Sequence, residues 1–227
     1  MVLDARLRAI AGFVGTCECV ADIGTDHGRL GAWLLKHGYA QKVQFLDISK
    51  DSLDKAMRLI DKLHLNGRAL FSVGDGADAM AEIADVAVIA GMGGQLIAQI
   101  VEKGRKKLGD ARLVLQPNVA IMELRTRLVA AGYMIMNERI VRTAGRMYVV
   151  IEAAPGHRKY DHRELLVGPC ILKNGDPLLN EYAQRQKRIT NKALGGAIKG
   201  GAEWTDALKW EAGIWEEIIN GDCGTIV

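Results

Sequence analysis

From about residue 19 to residue 116, short apolar runs alternate with segments in which apolar positions recur at helical spacing. This is the pattern of beta-alpha units stacked around a parallel sheet. It predicts strands over about 18–23, 42–47, 69–73, 85–90 and 111–116, with helices over about 27–38, 51–64, 93–104 and 120–131. The run from Asp85 to Ala90 is apolar on both faces after its first residue, which places it mid-sheet with helices on each side. Beyond Gly132, segments 133–141 and 147–153 flank Gly145 as an antiparallel hairpin would. The expected class is α/β, a parallel sheet ending in an antiparallel hairpin.

Pro155-Gly156 marks a change of character, and the expected division is 1–160 against a helical tail, 161–227. Asp176-Pro177 offers a helix cap with proline at the first helical position, and Leu178, Tyr182 and Ile189 then share one stripe. Gly195-Gly196 and Gly200-Gly201 are expected to break that helix. A second stripe follows, formed by Trp204, Leu208, Ala212, Trp215 and Ile219, so the tail reads as an antiparallel helical hairpin.

A chain of 227 residues with 49% hydrophobic content can bury one full core and carry a smaller appendage. Its net charge is only +3, but the charge is unevenly placed. Residues 156–200 hold nine Lys or Arg against four Asp or Glu, and 201–227 hold one against six. Residues 101–146 add ten basic against four acidic, with Arg125, Arg127, Arg139, Arg142 and Arg146 giving a basic surface near the hairpin. The competing expectation is an ordinary solvated surface on which the oppositely charged tail helices attract each other. Residues 1–14 read as a charged amphipathic helix rather than a signal peptide, and no apolar run approaches a membrane span, which suggests a cytoplasmic protein. Cys17, Cys19, Cys170 and Cys223 form neither a disulfide framework nor a metal site, so reduced structural thiols are expected.

Chemistry concentrates at the strand ends. Asp22-Ile23-Gly24-Thr25-Asp26-His27-Gly28 closes the first strand in a glycine-containing turn that opens a helix, where a ligand can reach the backbone. Asp26 stands where a dinucleotide-binding loop has its second glycine, and its carboxylate has the wrong sign for a pyrophosphate. Asp47 follows the second strand at a spacing suited to ribose hydroxyls. Asp75, between Gly74 and Gly76 after the third strand, could accept a proton from an adenine amino group. Helix-cap and turn roles are the alternatives for both. Gly91-Met92-Gly93-Gly94 ends the fourth strand in a loop open to a flat ligand. Gln116 and Asn118 end the fifth with amides able to read a base edge, although a turn with a capping Asn would look the same.

The set Ala21-Asp22-Ile23-Gly24-Thr25-Asp26-His27, Gly74-Asp75-Gly76, Ile89-Ala90-Gly91-Met92-Gly93-Gly94, Leu115-Gln116-Pro117-Asn118 and Gly168-Pro169, in that order, closely resembles the bacterial tRNA (adenine-22-N1)-methyltransferases of the TrmK type. The likeness runs from about Leu7 to about Tyr182. It implies a Rossmann-like class I methyltransferase domain with S-adenosylmethionine as cofactor, tRNA as substrate, no metal, and a C-terminal helix pair like a short coiled coil that helps hold tRNA. On that resemblance Asp22, Gly24, Asp47, Ile48, Asp75, Gly76, Ala90, Gly91, Met92 and Gly93 are expected around the cofactor. Gly94, Gln116, Asn118, Arg139 and Arg142 are expected toward the substrate, and Asp26 and His27 at the reacting base. The chain departs from the family at Gly28-Arg29-Leu30-Gly31, where Ala-Tyr-Leu-Pro is usual, and at Asp47, where Glu is common. Two other readings stay open at this stage. One is a non-catalytic cofactor-sensing RNA-binding protein, and the other is a nicotinamide-dependent oxidoreductase, against which Asp26 speaks.

Overall fold

The computed structural model describes residues 1–200 and 204–221, which form two compact units, Met1–Lys159 and a second beginning at Tyr160. The first unit opens with helix α1 (Ala5–Val14) and then alternates β1 (Cys17–Ile23), α2 (Arg29–Lys36), β2 (Ala40–Asp47), α3 (Lys50–Lys62), β3 (Ala69–Val73), β4 (Val86–Met92), α4 (Gly94–Lys103), α5 (Arg105–Leu108), β5 (Arg112–Pro117) and α6 (Ile121–Ala130). It closes with β6 (Tyr133–Thr143) and β7 (Arg146–Pro155). The seven strands lie in the order β3-β2-β1-β4-β5-β7-β6. Strands β1 to β5 are parallel, and β7 is antiparallel to both β5 and β6. Strand β4 lies in the middle with Val86, Ala87, Val88 and Ile89 fully buried, as its unbroken apolar run requires.

Strand order reverses between β1 and β4, and in open parallel sheets the crevice outside the carboxyl ends at such a reversal binds ligands. The β6–β7 hairpin reaches past this edge. Leu115 pairs with Ile151 while Arg142 pairs with Met147, so the turn at Ala144-Gly145 lies beyond the end of β5. Helix α1 is capped by Asp4, whose Oδ1 accepts from Leu7 N at 2.8 Å, and its apolar face joins the core through Ile10, Ala11 and Val14.

Local geometry corrects several expectations. Helix α2 starts at Arg29 rather than near residue 27, because Asp26 (φ 51°) and Gly28 (φ 66°) hold the left-handed conformation. Arg125 does not belong to a basic surface. It is fully buried in α6 with Nε 2.7 Å from Oε1 of the equally buried Glu138 on β6, and Arg127 is paired with Glu102.

The second unit holds α7 (His162–Val167), α8 (Pro169–Asn174), α9 (Leu179–Lys199) and α10 (Thr205–Ile219). Asp161 and Glu164 form a capping box on α7. Helices α9 and α10 run antiparallel: Asn180 Nδ2 donates to Ile219 O at 3.1 Å, Tyr182 meets Trp215 edge-on at 5.9 Å, and Lys187 pairs with Glu216 at 2.8 Å. Asp176-Pro177 forms the turn before α9 instead of its first residues, since Asp176 Oδ1 accepts from Leu178 N. Gly195-Gly196 lies inside α9 and does not break it, because packing outweighs a propensity loss of about 1 kcal/mol per glycine. Gly201, expected to share in that break, and Cys223 lie outside the described residues. The buried stripe of α9 runs through Leu179, Tyr182, Ala183, Thr190 and Ala197, leaving Ile189 exposed, and Trp204 is exposed ahead of α10. Among the described residues, Cys17 and Cys19 are free thiols, Cys170 is buried, and no cluster of His, Cys, Asp and Glu could hold a metal. No described helix is long and apolar enough to cross a membrane.

Candidate active site

Five strand ends converge on the crevice, and their loops are tied together by the backbone. Gly24 N and Thr25 N both donate to Leu46 O, at 2.8 and 3.1 Å, so the loop after β1 lies against the end of β2. Gly74 N donates to Asp47 O at 3.0 Å, which brings the end of β3 to the same place. Asn118 N donates to Met92 O at 2.8 Å and joins the ends of β5 and β4.

Within this frame the first three carboxylates occupy different environments. Asp22 is buried, with Oδ2 accepting the Thr25 hydroxyl at 2.7 Å and a further bond from the Gly31 backbone. Burial pushes its carboxyl up to about 6, against the Thr25 and Gly31 hydrogen bonds, and the nearby charge of Asp47 adds to the rise. Asp47 is half-buried and accepts Asp26 N at 3.1 Å and Ser49 N at 2.9 Å, while Ser49 itself caps α3. Asp75 is exposed, makes no side-chain cap bond, and stands 4.0 Å from Lys103 Nζ. Beside it opens a recess lined by Gly76, Leu96, Gln99 and Ile100 among others. Ile48 projects from the end of β2, exposed despite being apolar.

Asp26 and His27 form a pair at the mouth of the first loop, His27 Nδ1 lying 2.6 Å from Asp26 Oδ2, with both side chains largely exposed. Across from them, β4 bulges between Ala90 and Met92, with Gly91 at φ 82°. A Cβ on Gly24 would fall 2.0 Å from Met92 Cε, so the Met92 side chain lies over the first loop in space that only glycine leaves. Gly93 ends the bulge as the N-cap of α4.

Of the residues expected toward the substrate, Gly94 and Gln116 are buried, while Asn118, Arg139 and Arg142 are exposed. Gly94 is buried against backbone, since a Cβ there would fall 2.3 Å from Ala120 O. Its smallness serves the packing of α4 on the loop before α6. Gln116 is wholly buried, with Oε1 taking Arg6 Nη1 at 2.6 Å and Nε2 donating to Pro117 O and Asn118 Oδ1. That leaves none of its groups on the surface. Asn118 is exposed, and its Nδ2 donates to Gly91 O at 2.7 Å, bridging two strand ends rather than capping a helix. Arg139 and Arg142 are exposed on the edge strand β6, three positions apart, so strand alternation sends them to opposite faces.

Arg6 and Tyr148 had no signal in the sequence pattern. Arg6 sits 5.6 Å over the Tyr148 ring, its Nη1 3.5 Å from where a Cβ on Gly91 would be. An arginine on the polar side of an N-terminal helix carries nothing that says which strand end it will meet. The Gly28–Gly31 departure also has a packing reason: Gly28 faces Ala56 of α3 and Gly31 faces Phe45 of β2, each too close for a Cβ.

Residues 3–151 match the family described as a methyltransferase domain. The tRNA (adenine(22)-N(1))-methyltransferase of Bacillus subtilis is 35% identical over 179 residues, covering 75% of each chain. The crystal structure of the B. subtilis m1A22 tRNA methyltransferase TrmK superposes with a TM-score of 0.87 at 28% identity, covering 96% of this chain and 99% of that one. A Streptococcus pneumoniae protein crystallised with S-adenosyl-L-methionine gives a TM-score of 0.87 at 27% identity, covering 96% and 100%. With the domain match, the extended identity and the shared fold over nearly the whole chain, this protein belongs to the tRNA (adenine(22)-N(1))-methyltransferase family.

Proposed function

We propose that this chain transfers a methyl group from S-adenosylmethionine to N1 of adenine 22 in tRNA. The observation that carries the reading is the row of carboxylates Asp22, Asp47 and Asp75 at the ends of adjacent strands β1, β2 and β3. Such a crevice suits a ligand with a cationic ammonium and sulfonium, two ribose hydroxyls and an adenine amino group. It does not suit a pyrophosphate, so the nicotinamide reading is set aside.

In this reading Asp22, held by Thr25, with Gly24, Ala90 and Met92 shapes the amino-acid end of the cofactor site. Asp47 accepts from the ribose with the lone pairs that Asp26 N and Ser49 N leave, and Asp75 with Gly76 faces the adenine edge. Ile48 supplies an apolar wall, and Gly91 and Gly93 let the loop approach closely. Bound S-adenosylmethionine supplies the electrophilic methyl and a neutral thioether leaving group. Adenine N1 attacks with its own lone pair, so no protein base must first remove a proton, and positioning and electrostatics carry the rate. The Asp26 carboxylate, exposed and oriented by His27, favours the positive charge that develops on the base, and it can accept from the N6 amino group. N1 lies on the Watson-Crick edge, so the adenine must leave its pairing and stacking at a cost of a few kcal/mol. Phosphate contacts from exposed basic side chains of β6 such as Arg139 offset part of that cost. A tRNA substrate also places the enzyme in the cytoplasm.

Nucleoside mass spectrometry of unmodified tRNA incubated with protein and S-adenosylmethionine tests this reading. The expected product is 1-methyladenosine mapped to position 22, absent when that adenine is replaced by guanine. Methylation elsewhere, or none, overturns it.

A further inference from the structure

The amides at the end of β5 form a directed chain that starts on α1. Arg6 Nη1 donates to Gln116 Oε1 at 2.6 Å, Gln116 Nε2 donates to Asn118 Oδ1 at 3.1 Å, and Asn118 Nδ2 donates to Gly91 O at 2.7 Å. A guanidinium has donors only, so Gln116 must turn its oxygen toward Arg6. Its nitrogen must then face Asn118, where both hydrogens are spent on Asn118 Oδ1 and Pro117 O. Asn118 in turn must present its oxygen to Gln116 and its nitrogen to the Gly91 carbonyl. The buried Gln116 has no alternative arrangement, because flipping it would set its amino group against the guanidinium.

After these bonds, exposed Asn118 keeps one N–H and one oxygen lone pair, with fixed polarity, at the mouth of the crevice. That is the pair of groups with which an asparagine side chain reads adenine bidentately, its oxygen accepting from N6 and its nitrogen donating to N7. Read through N6 and N7, the base leaves N1 and its lone pair open to the methyl. Guanine offers two acceptors at the same edge and cannot satisfy the asparagine oxygen.

We propose that Asn118 selects adenine by its N6–N7 edge and that Arg6, acting through Gln116, is the positioning residue that holds the Asn118 amide in the reading orientation. This rests on the transfer to adenine N1 proposed above. Tyr148 serves the same end by holding the Arg6 guanidinium over its ring.

The experiment compares tRNA carrying adenine at position 22 with tRNA carrying 7-deazaadenine there, which lacks the N7 acceptor and keeps N1 and N6. For the wild-type chain, kcat/KM falls about tenfold on the deaza substrate, as the loss of one well-placed hydrogen bond implies. In Asn118→Ala both substrates are equally poor. Gln116→Glu separates orientation from simple tethering. A carboxylate there strengthens the bond to Arg6 but has no hydrogen for Asn118, so methylation falls at least tenfold and the preference over the deaza substrate disappears, while affinity for S-adenosylhomocysteine stays within about twofold. Arg6→Met behaves the same way, and Arg6→Lys, which still donates, keeps most of the preference. Equal rates on the two substrates in the wild type overturn the proposal, as does a Gln116→Glu variant with undiminished activity. If the wild type methylates no tRNA adenine at all, the underlying transfer reading fails first, and this proposal fails with it.

Discussion

The carboxylate of Asp47 accepts the backbone N–H of Asp26 at 3.1 Å and so fastens the proposed ribose-binding residue to the loop that carries the proposed base-facing one. The same Asp47 holds Ser49 N, so a single side chain orders the ends of β1 and β2 together. Asp47→Ala therefore raises KM for S-adenosylmethionine and lowers kcat as well. Steady-state kinetics with saturating cofactor show the second effect, and an unchanged kcat would mean that the Asp26 loop holds its shape alone.

Asp26 separates differently. Its φ of 51° is tolerated by Asp and Asn but costs alanine about 1 kcal/mol or more, so Asp26→Ala mixes a backbone effect with a charge effect. Asp26→Asn keeps the backbone and removes the charge. The expected result is a fall in kcat of about 100-fold, in line with loss of a charge-stabilising group. Calorimetric affinity for S-adenosylhomocysteine stays unchanged, and a large loss of cofactor affinity would instead move Asp26 to the cofactor side.

Protonation of Asp22 sets a pH dependence. Its folded value of about 6 exceeds the ordinary 3.8 because burial penalises the charged form, so the ligand-free protein holds this proton below pH 6 and releases it above. A cationic cofactor amine favours the carboxylate. Affinity is therefore flat above pH 7 and weakens as pH falls through 6, with proton release on binding in that window. Asp22→Asn removes the pH dependence, and titration calorimetry in buffers of different ionisation enthalpy reads the protons directly.

The Arg125–Glu138 pair ties α6 to the edge strand with both side chains fully buried. Removing one partner breaks a buried ion pair, and Glu138→Gln or Arg125→Met destabilises the fold by about 3–5 kcal/mol. The double variant Arg125→Met with Glu138→Leu regains most of that loss, because a well-packed apolar pair can replace a buried ion pair. Urea denaturation of the three variants gives the comparison.

Gly94→Ala tests a packing role. A Cβ at this position falls 2.3 Å from Ala120 O, an approach no alanine can keep, so α4 must shift. The melting temperature falls, and an unaltered melting temperature would mean that the α4 start adjusts at little cost.

By itself the sequence determined the alternation of strands and helices, the central place of the 86–89 run, and the acids and glycines at the strand ends. These follow from periods of two and 3.6 residues and from turn chemistry, all of which act within a few neighbours along the chain. It also carried the motif set through which the family could be named. Its errors were local competitions: packing keeps Gly195-Gly196 helical in α9, and the Asp176 turn delays the start of α9 to two residues after Pro177. Only the tertiary structure decided which strand ends meet and which polar groups are spent there. It brought Arg6 to Gln116 across 110 positions, buried Arg125 on Glu138, and turned Gln116 from a presumed reader of the base into the support behind Asn118. Such pairings have no local period. They arise when elements far apart in the chain pack on the same sheet edge, and a buried polar group then takes whatever partner the packing supplies.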